Sequence, residues 1–276
     1  MGTFDNCTEV TPACPVEATT YGYTPALGPN AALLAIFAIC AIVQIAVGIW
    51  KRVYSYSIAI AVGSAIEAVG YGGRLAMHNN PWSSSGFTIQ ITCLIIGPSF
   101  VAAGIYLTLK HFIRNNNPEF SLLKPRLYTW VFIGCDAGSI VLQAAGGGIA
   151  GSAGRDKVDL LDIGNNVMIA GIAFQVITMA LCGVLASAYA VRRRRHRNDP
   201  TVAVIPAKTK IFACVVAFAY LTILVRCIYR LPEMAGGWGN ELMQNEKEFL
   251  ILDGFSCRLP PTGDENRLCK AKARTA

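Results

Sequence analysis

Apolar residues in this chain do not recur at the period of an amphipathic helix or strand. They gather in long runs separated by polar loops, at about 31–50, 57–77, 87–109, 127–149, 166–190 and 211–230. Each run is about 20 residues long, which as a helix matches a hydrocarbon layer about 30 Å thick. Alternating segments of about 10 residues, the mark of a transmembrane barrel, are not seen. The pattern predicts an all-α, polytopic transmembrane helix bundle. A polar amino-terminal segment (1–29) precedes the bundle (30–255), and a short apolar remnant (249–255) gives way to an atypical polar tail (256–276). The expected arrangement is six complete spans with a truncated or altered seventh.

Composition agrees. Of 276 residues, 53% are hydrophobic and 15% charged, where a soluble domain carries about a quarter charged. Mean hydropathy is +0.43. Residues 1–29 contain no basic stretch of the kind that opens a secretory signal, so the first span is expected to direct its own insertion.

Charge sets an orientation. Lys51 and Arg52 follow span one; Lys110, Arg114, Lys124 and Arg126 follow span three; Arg192–Arg197, Lys208 and Lys210 follow span five. The intervening loops are neutral or acidic: 78–86 has no charged residue, and 231–248 carries Glu233, Glu241, Glu246 and Glu248 against Lys247. Basic loops stay cytosolic, which places the amino terminus outside. Arg192–Arg197 reads as a membrane anchor of this kind and not as a nuclear signal or a phosphoinositide site, and no nucleic-acid partner is expected. On the outside, Asn6-Cys7-Thr8 forms a glycosylation sequon. Cys7 and Cys14 would share that oxidising side, where a small disulfide and two free thiols are both open outcomes.

Several chemistries are disfavoured. His78, His111 and His196 lie in three different loops and cannot gather around one metal, so neither a metal site nor a cofactor is expected. The glycine-rich stretch 144–157 lacks the Gly-Lys-Ser/Thr ending of a phosphate loop. No lysine lies within a span, which leaves no retinal Schiff base. An enzyme is not expected.

What remains is a set of polar residues inside the spans. A charged side chain at mid-bilayer costs about 2.5–3.5 kcal/mol on insertion scales, so it normally faces a partner or a water-filled cavity. Span two offers Glu67, Tyr71 and Arg74 on one helical face, and span four offers Asp136, Ser139 and Gln143. Span six offers Arg226 and Arg230, with Glu233 just beyond. Span three adds Gln90, Tyr106 and the Gly97-Pro98 pair, where a kink or backbone opening is expected. Span five adds Asn165, Asn166 and Gln175. Gly134 and Gly138 bracket Asp136 and predict close packing of that helix, against the helix carrying Glu67. The expected site is a polar cleft, acidic at depth through Glu67 and Asp136 and basic toward the outer leaflet through Arg74, Arg226 and Arg230. Such a cleft would receive an amphiphile with a zwitterionic or basic head group. The same residues could also pair with one another and lock the helices.

Taken together, these residues resemble the fungal lipid-translocating exporter family, the RTA-like membrane proteins. The resemblance runs from about Tyr21 to Phe255. It is carried by YGYTPALGPN (21–30), E-x-x-G-Y-x-G-R (Glu67 to Arg74), and Gln90-Ile91 followed by G-P-S-F (97–100) and Tyr106. Further matches are D-x-x-S-x-x-x-Q-x-x-G-G-G (Asp136 to Gly148), G-x-x-x-Q (Gly171 to Gln175) and R-x-x-Y-R-x-x-E (Arg226 to Glu233), then Gly237, Glu246 and Asp253. The resemblance implies a seven-helix plasma-membrane protein that exports or flips lipids, sphingoid bases or toxic amphiphiles, with a role in drug or stress resistance. After residue 255 the chain departs from the family: SCRLPPTGDENRLCKAKARTA replaces the seventh span, which implies compromised transport. A membrane transporter of amphiphilic lipids is the leading expectation. The alternatives are a seven-helix receptor-like stress sensor and a membrane scaffold with no ligand of its own.

Overall fold

Six long helices carry most of the computed structural model, which describes residues 7, 11–12, 14–16, 19, 21–116, 118–153, 158–196 and 206–235. They are α1 (Leu27–Lys51), α2 (Tyr54–Asn79), α3 (Ser84–Asn115), α4 (Pro125–Ala153), α5 (Val158–Arg195) and α6 (Ala207–Ala235). The remnant at 249–255, the polar tail, and Gly237, Glu246 and Asp253 lie outside the described residues, as does Asn6. Cys7 and Cys14 are joined by a disulfide.

The all-α membrane bundle is borne out. Five helices, all but α2, are long and apolar enough to cross a membrane. The second falls short of that measure because Ser57, Ser64, Glu67, Arg74 and four glycines dilute its aliphatic residues. Its 26 residues would still reach about 39 Å. It lies between α1 and α3, so neighbouring helices cover its polar face.

The first two loops, 52–53 and 80–83, are short, and the helix ends beside them are well terminated. Arg52 takes a left-handed conformation (φ 56°) after α1, and Val53 N–H donates back to the Gly48 carbonyl at 3.1 Å, a reverse turn that ends the helix. Ser83 caps α3 by accepting the Gly86 N–H at 3.2 Å. Helix α5 runs well past the 166–190 expected from its apolar run. Hydropathy marks only the hydrocarbon-crossing part, whereas polar helix formers such as Arg192 to Arg195 continue the backbone beyond it.

Each helix packs on the next in sequence, and α6 returns to pack on α3. The third helix is therefore the axis: 61% of its most apolar stretch is buried, against 28% for α1, α4 and α6. Large apolar side chains such as Ile42, Trp50, Trp130, Val141, Ile177 and Ile211 face outward, a surface suited to lipid and costly in water. Inside, Tyr106, Ile113, Tyr128, Phe132, Met179, Cys182, Tyr189 and Ile223 form the largest apolar cluster. Two tyrosines in this region donate to backbone carbonyls, Tyr189 to Asn116 and Tyr220 to Met179.

Close helix contacts fall elsewhere than the Gly134–Gly138 pair predicts. A Cβ at Gly134 would meet nothing within 4 Å, and one at Gly138 only the edge of Phe174. Gly146 is the residue that α4 presses home: its Cβ would come within 2.6 Å of the Gly164 carbonyl on α5. The Asp136 helix therefore packs on α3 and α5. The glycine motif alone does not say which side of a helix meets a neighbour.

Candidate functional site

The Gly97-Pro98 pair explains the centre of the bundle. Proline has no N–H, so in a helix it leaves the carbonyl four residues earlier without its usual donor. That carbonyl is Leu94, and Arg226 of α6 donates to it at 3.1 Å. The same guanidinium donates to the Glu67 carboxylate at 2.8 Å, with both side chains almost fully buried. Gly97 makes room for this meeting, since a Cβ there would stand 2.6 Å from Glu67 Cγ. One residue pair on α3 thus supplies both the space and the extra acceptor that join α2 to α6. Pro98 lies inside α3 without ending it.

The three polar residues expected to line one wall of a cleft diverge. Glu67 turns to α6. The Tyr71 ring stacks on Phe37 of α1, with centroids 5.6 Å apart, in an apolar cluster with Leu33 and Leu94. Arg74 donates to the Tyr23 hydroxyl at 2.6 Å and lies over the rings of Tyr21 and Tyr23 at 5.4 and 6.0 Å. Gln90 of α3 donates to the Tyr21 hydroxyl at 2.8 Å, and a ring nitrogen of His78 stands 2.8 Å from the Pro25 carbonyl. The amino-terminal segment is therefore strapped across the ends of α2 and α3. Burial pushes the Tyr21 phenol above its usual range and Glu233 adds to this, while Arg74 and Arg230 work against it.

On the other flank, Gln143 of α4 donates to Gln175 of α5 at 2.8 Å, and Gln175 reaches the Cys227 sulfur of α6 at 3.8 Å. Gly171 admits this link, because its Cβ would stand 2.9 Å from Gln143 Cγ. Arg230 and Glu233 pair along α6 at 3.0 Å, and Asn165 donates to the Met234 carbonyl at 3.1 Å. Arg226, Arg230, Gln175, Cys227, Pro98 and Leu94 line a small cavity with room for about one water. Pockets for drug-sized ligands are about 300–1,000 Å³, so the bundle is packed shut around this point.

Asp136 stands apart. It is 2% exposed, does not line that cavity, and neither carboxyl oxygen has an aligned hydrogen-bond partner. The groups around it are Tyr106, Cys182, Tyr220 and Cys227. Sequence position alone could not separate it from Glu67. Tyr21 and Tyr23, which hold Arg74, fall within the YGYTPALGPN motif but outside the expected set of site residues. Their signal was two aromatics with hydroxyls just ahead of the first span.

Among the described residues no cluster of His, Cys, Asp and Glu could hold a metal ion. The fold and the buried polar groups define a multi-pass membrane protein with charged contacts inside the bundle. The description "RTA1 like protein" matches residues 60–260, and the chain belongs to that family. Among its relatives, the sphingoid long-chain base transporter RSB1 of Saccharomyces cerevisiae is 33% identical over 265 residues, covering 85% of this chain and 69% of the relative. Protoporphyrin uptake protein 1 of the same species is 29% identical over 197 residues, or 69% of this chain and 61% of the relative. Protein RTM1 is 26% identical over 206 residues, with 74% and 64% covered. No solved structure matches the chain.

Proposed function

We propose that this chain moves amphiphilic lipids, of the sphingoid-base type for which one relative is named, across the plasma membrane and contributes to resistance against toxic amphiphiles. In this reading the amino terminus and its strap are extracellular and the basic loops are cytosolic. The observation that carries it is the buried Glu67–Arg226 pair seated in the Gly97-Pro98 notch. A buried ion pair adds little net stability, because desolvation offsets most of the attraction. It can, however, be exchanged. The ammonium of a long-chain base would replace Arg226 at Glu67, while Arg226 keeps the Leu94 carbonyl as an acceptor. Gln90, Gln143, Gln175, Arg74, Arg230 and Glu233 would line the path opened when the helices part.

The test is movement of a fluorescent long-chain base in proteoliposomes. The native chain should exceed empty vesicles, and Glu67→Gln should lose most of that excess while inserting normally. Native protein no faster than empty vesicles would defeat the proposal. Ligand-dependent signalling without lipid movement would favour the receptor-like alternative. A parallel version carrying an apolar seventh segment in place of 256–276 tests whether the tail compromises transport, and should move lipid faster.

A further inference from the structure

Three carboxyl groups are buried among the described residues, Glu67, Glu233 and Asp136, and the first two each meet an arginine. Glu67 meets Arg226 at 2.8 Å. Asp136, on α4, meets none among the described residues. From α3 it is faced by the Tyr106 hydroxyl, from α5 by the Cys182 thiol, and from α6 by Tyr220 and the Cys227 thiol. Every one of these is neutral as a hydroxyl or thiol, and most nearby donors are spent elsewhere. Ser139 donates to the backbone carbonyl of Asp136 at 2.7 Å. Gln143 gives its amide to Gln175, and Tyr220 gives its hydroxyl proton to the Met179 carbonyl. The Tyr106 hydroxyl, itself fully buried and without an aligned partner, is the polar neighbour left over.

A bare carboxylate in such a place would hold a full charge with no counter-ion and no set of donors, the costliest arrangement for a buried group. A carboxyl with its proton is neutral and can donate to Tyr106. We propose that Asp136 is a proton-binding site, and that release and rebinding of this proton couple lipid movement to a proton gradient. The coupling rests on the transport reading above; the proton itself does not. The balance is simple: one proton enters from water on one side as the carboxyl forms, and leaves to water on the other as the bundle reopens. Glu67 does not fill this role, because its charge is held by Arg226 until a cationic head group replaces it.

Two measurements keep the parts separate. Infrared spectra of the whole protein in liposomes, with isotope-labelled aspartate, should show a protonated-carboxyl band at neutral pH. Asp136→Asn should remove that band, and Tyr106→Phe should shift it. A band unchanged by Asp136→Asn, or absent from the native chain, overturns the proton site. In proteoliposomes, the native chain should move a fluorescent long-chain base several-fold faster with an imposed pH gradient than without one. In Asp136→Asn that ratio should fall to one. A ratio preserved in Asp136→Asn overturns the coupling and leaves transport standing. If the native chain moves no lipid, the transport reading and the coupling fall together, and the spectra still decide whether Asp136 holds a proton.

Discussion

Glu67 and Asp136 are equally buried, each 2% exposed, yet their surroundings are built on opposite principles. Around Glu67 the chain supplies a cation, a freed carbonyl and a glycine notch, so that three helices converge on one charged contact. Around Asp136 it supplies hydroxyls, thiols and aromatic rings, and among the described residues no cation is one of the groups that face it. Burial alone therefore does not say what a carboxyl is for. The identity of its neighbours does: the first site stores a charge pair, and the second stores none.

The contrast can be broken most forcefully at Arg226. Arg226→Met leaves Glu67 buried without its cation, and breaking a buried pair from one side costs about 3–5 kcal/mol. Thermal unfolding in detergent should show a large fall, partly recovered when Glu67→Gln is added. Asp136→Asn, which changes a carboxyl into an amide of the same shape, should move the same midpoint far less; an equal fall would remove the distinction between the two sites. Next in size comes Tyr23→Phe, which removes one acceptor of Arg74. Hydrogen bonds to charged groups are worth about 1.5–3 kcal/mol, and the loss should appear as faster proteolysis of the amino-terminal segment. Gly97→Ala forces a methyl against Glu67 Cγ and should cost about 1–3 kcal/mol by overpacking, read from the same unfolding curves. The smallest effect is expected at Gly134→Ala, where the new Cβ meets open space and the midpoint should stay within about 0.5 kcal/mol of the native value.

Much of the bundle could be read from the sequence because the bilayer imposes a single demand, an apolar length, and six runs meet it or nearly do. The polar residues that matter were also visible, since Glu67, Asp136, Arg226 and Arg230 are conspicuous in apolar surroundings. Their partners were not. Whether Arg226 reaches Glu67 or Asp136 depends on the rotation of α6 about its axis, a quantity that no loop length or charge count encodes. Gly97-Pro98 was legible as a perturbation of α3 but not as the acceptor for an arginine from another helix. Tyr71 shares a face with Glu67 but lies one turn further along α2, where its ring meets Phe37 of α1. Gly134 and Gly138 misled for the same reason: small residues permit approach, and a neighbour must be there to accept it.

The strap formed by Tyr21 and Tyr23 bears on how the molecule is made. Its contacts reach across 51 residues to Arg74 and 69 to Gln90, so this segment, synthesised before the second and third helices, cannot find its place until they exist. It is a latch that closes late, and it reports on assembly. A chain cut back to residue 27 would retain every helix and leave Arg74 without its aromatic cover, whereas a tag placed ahead of residue 7 would leave the latch whole.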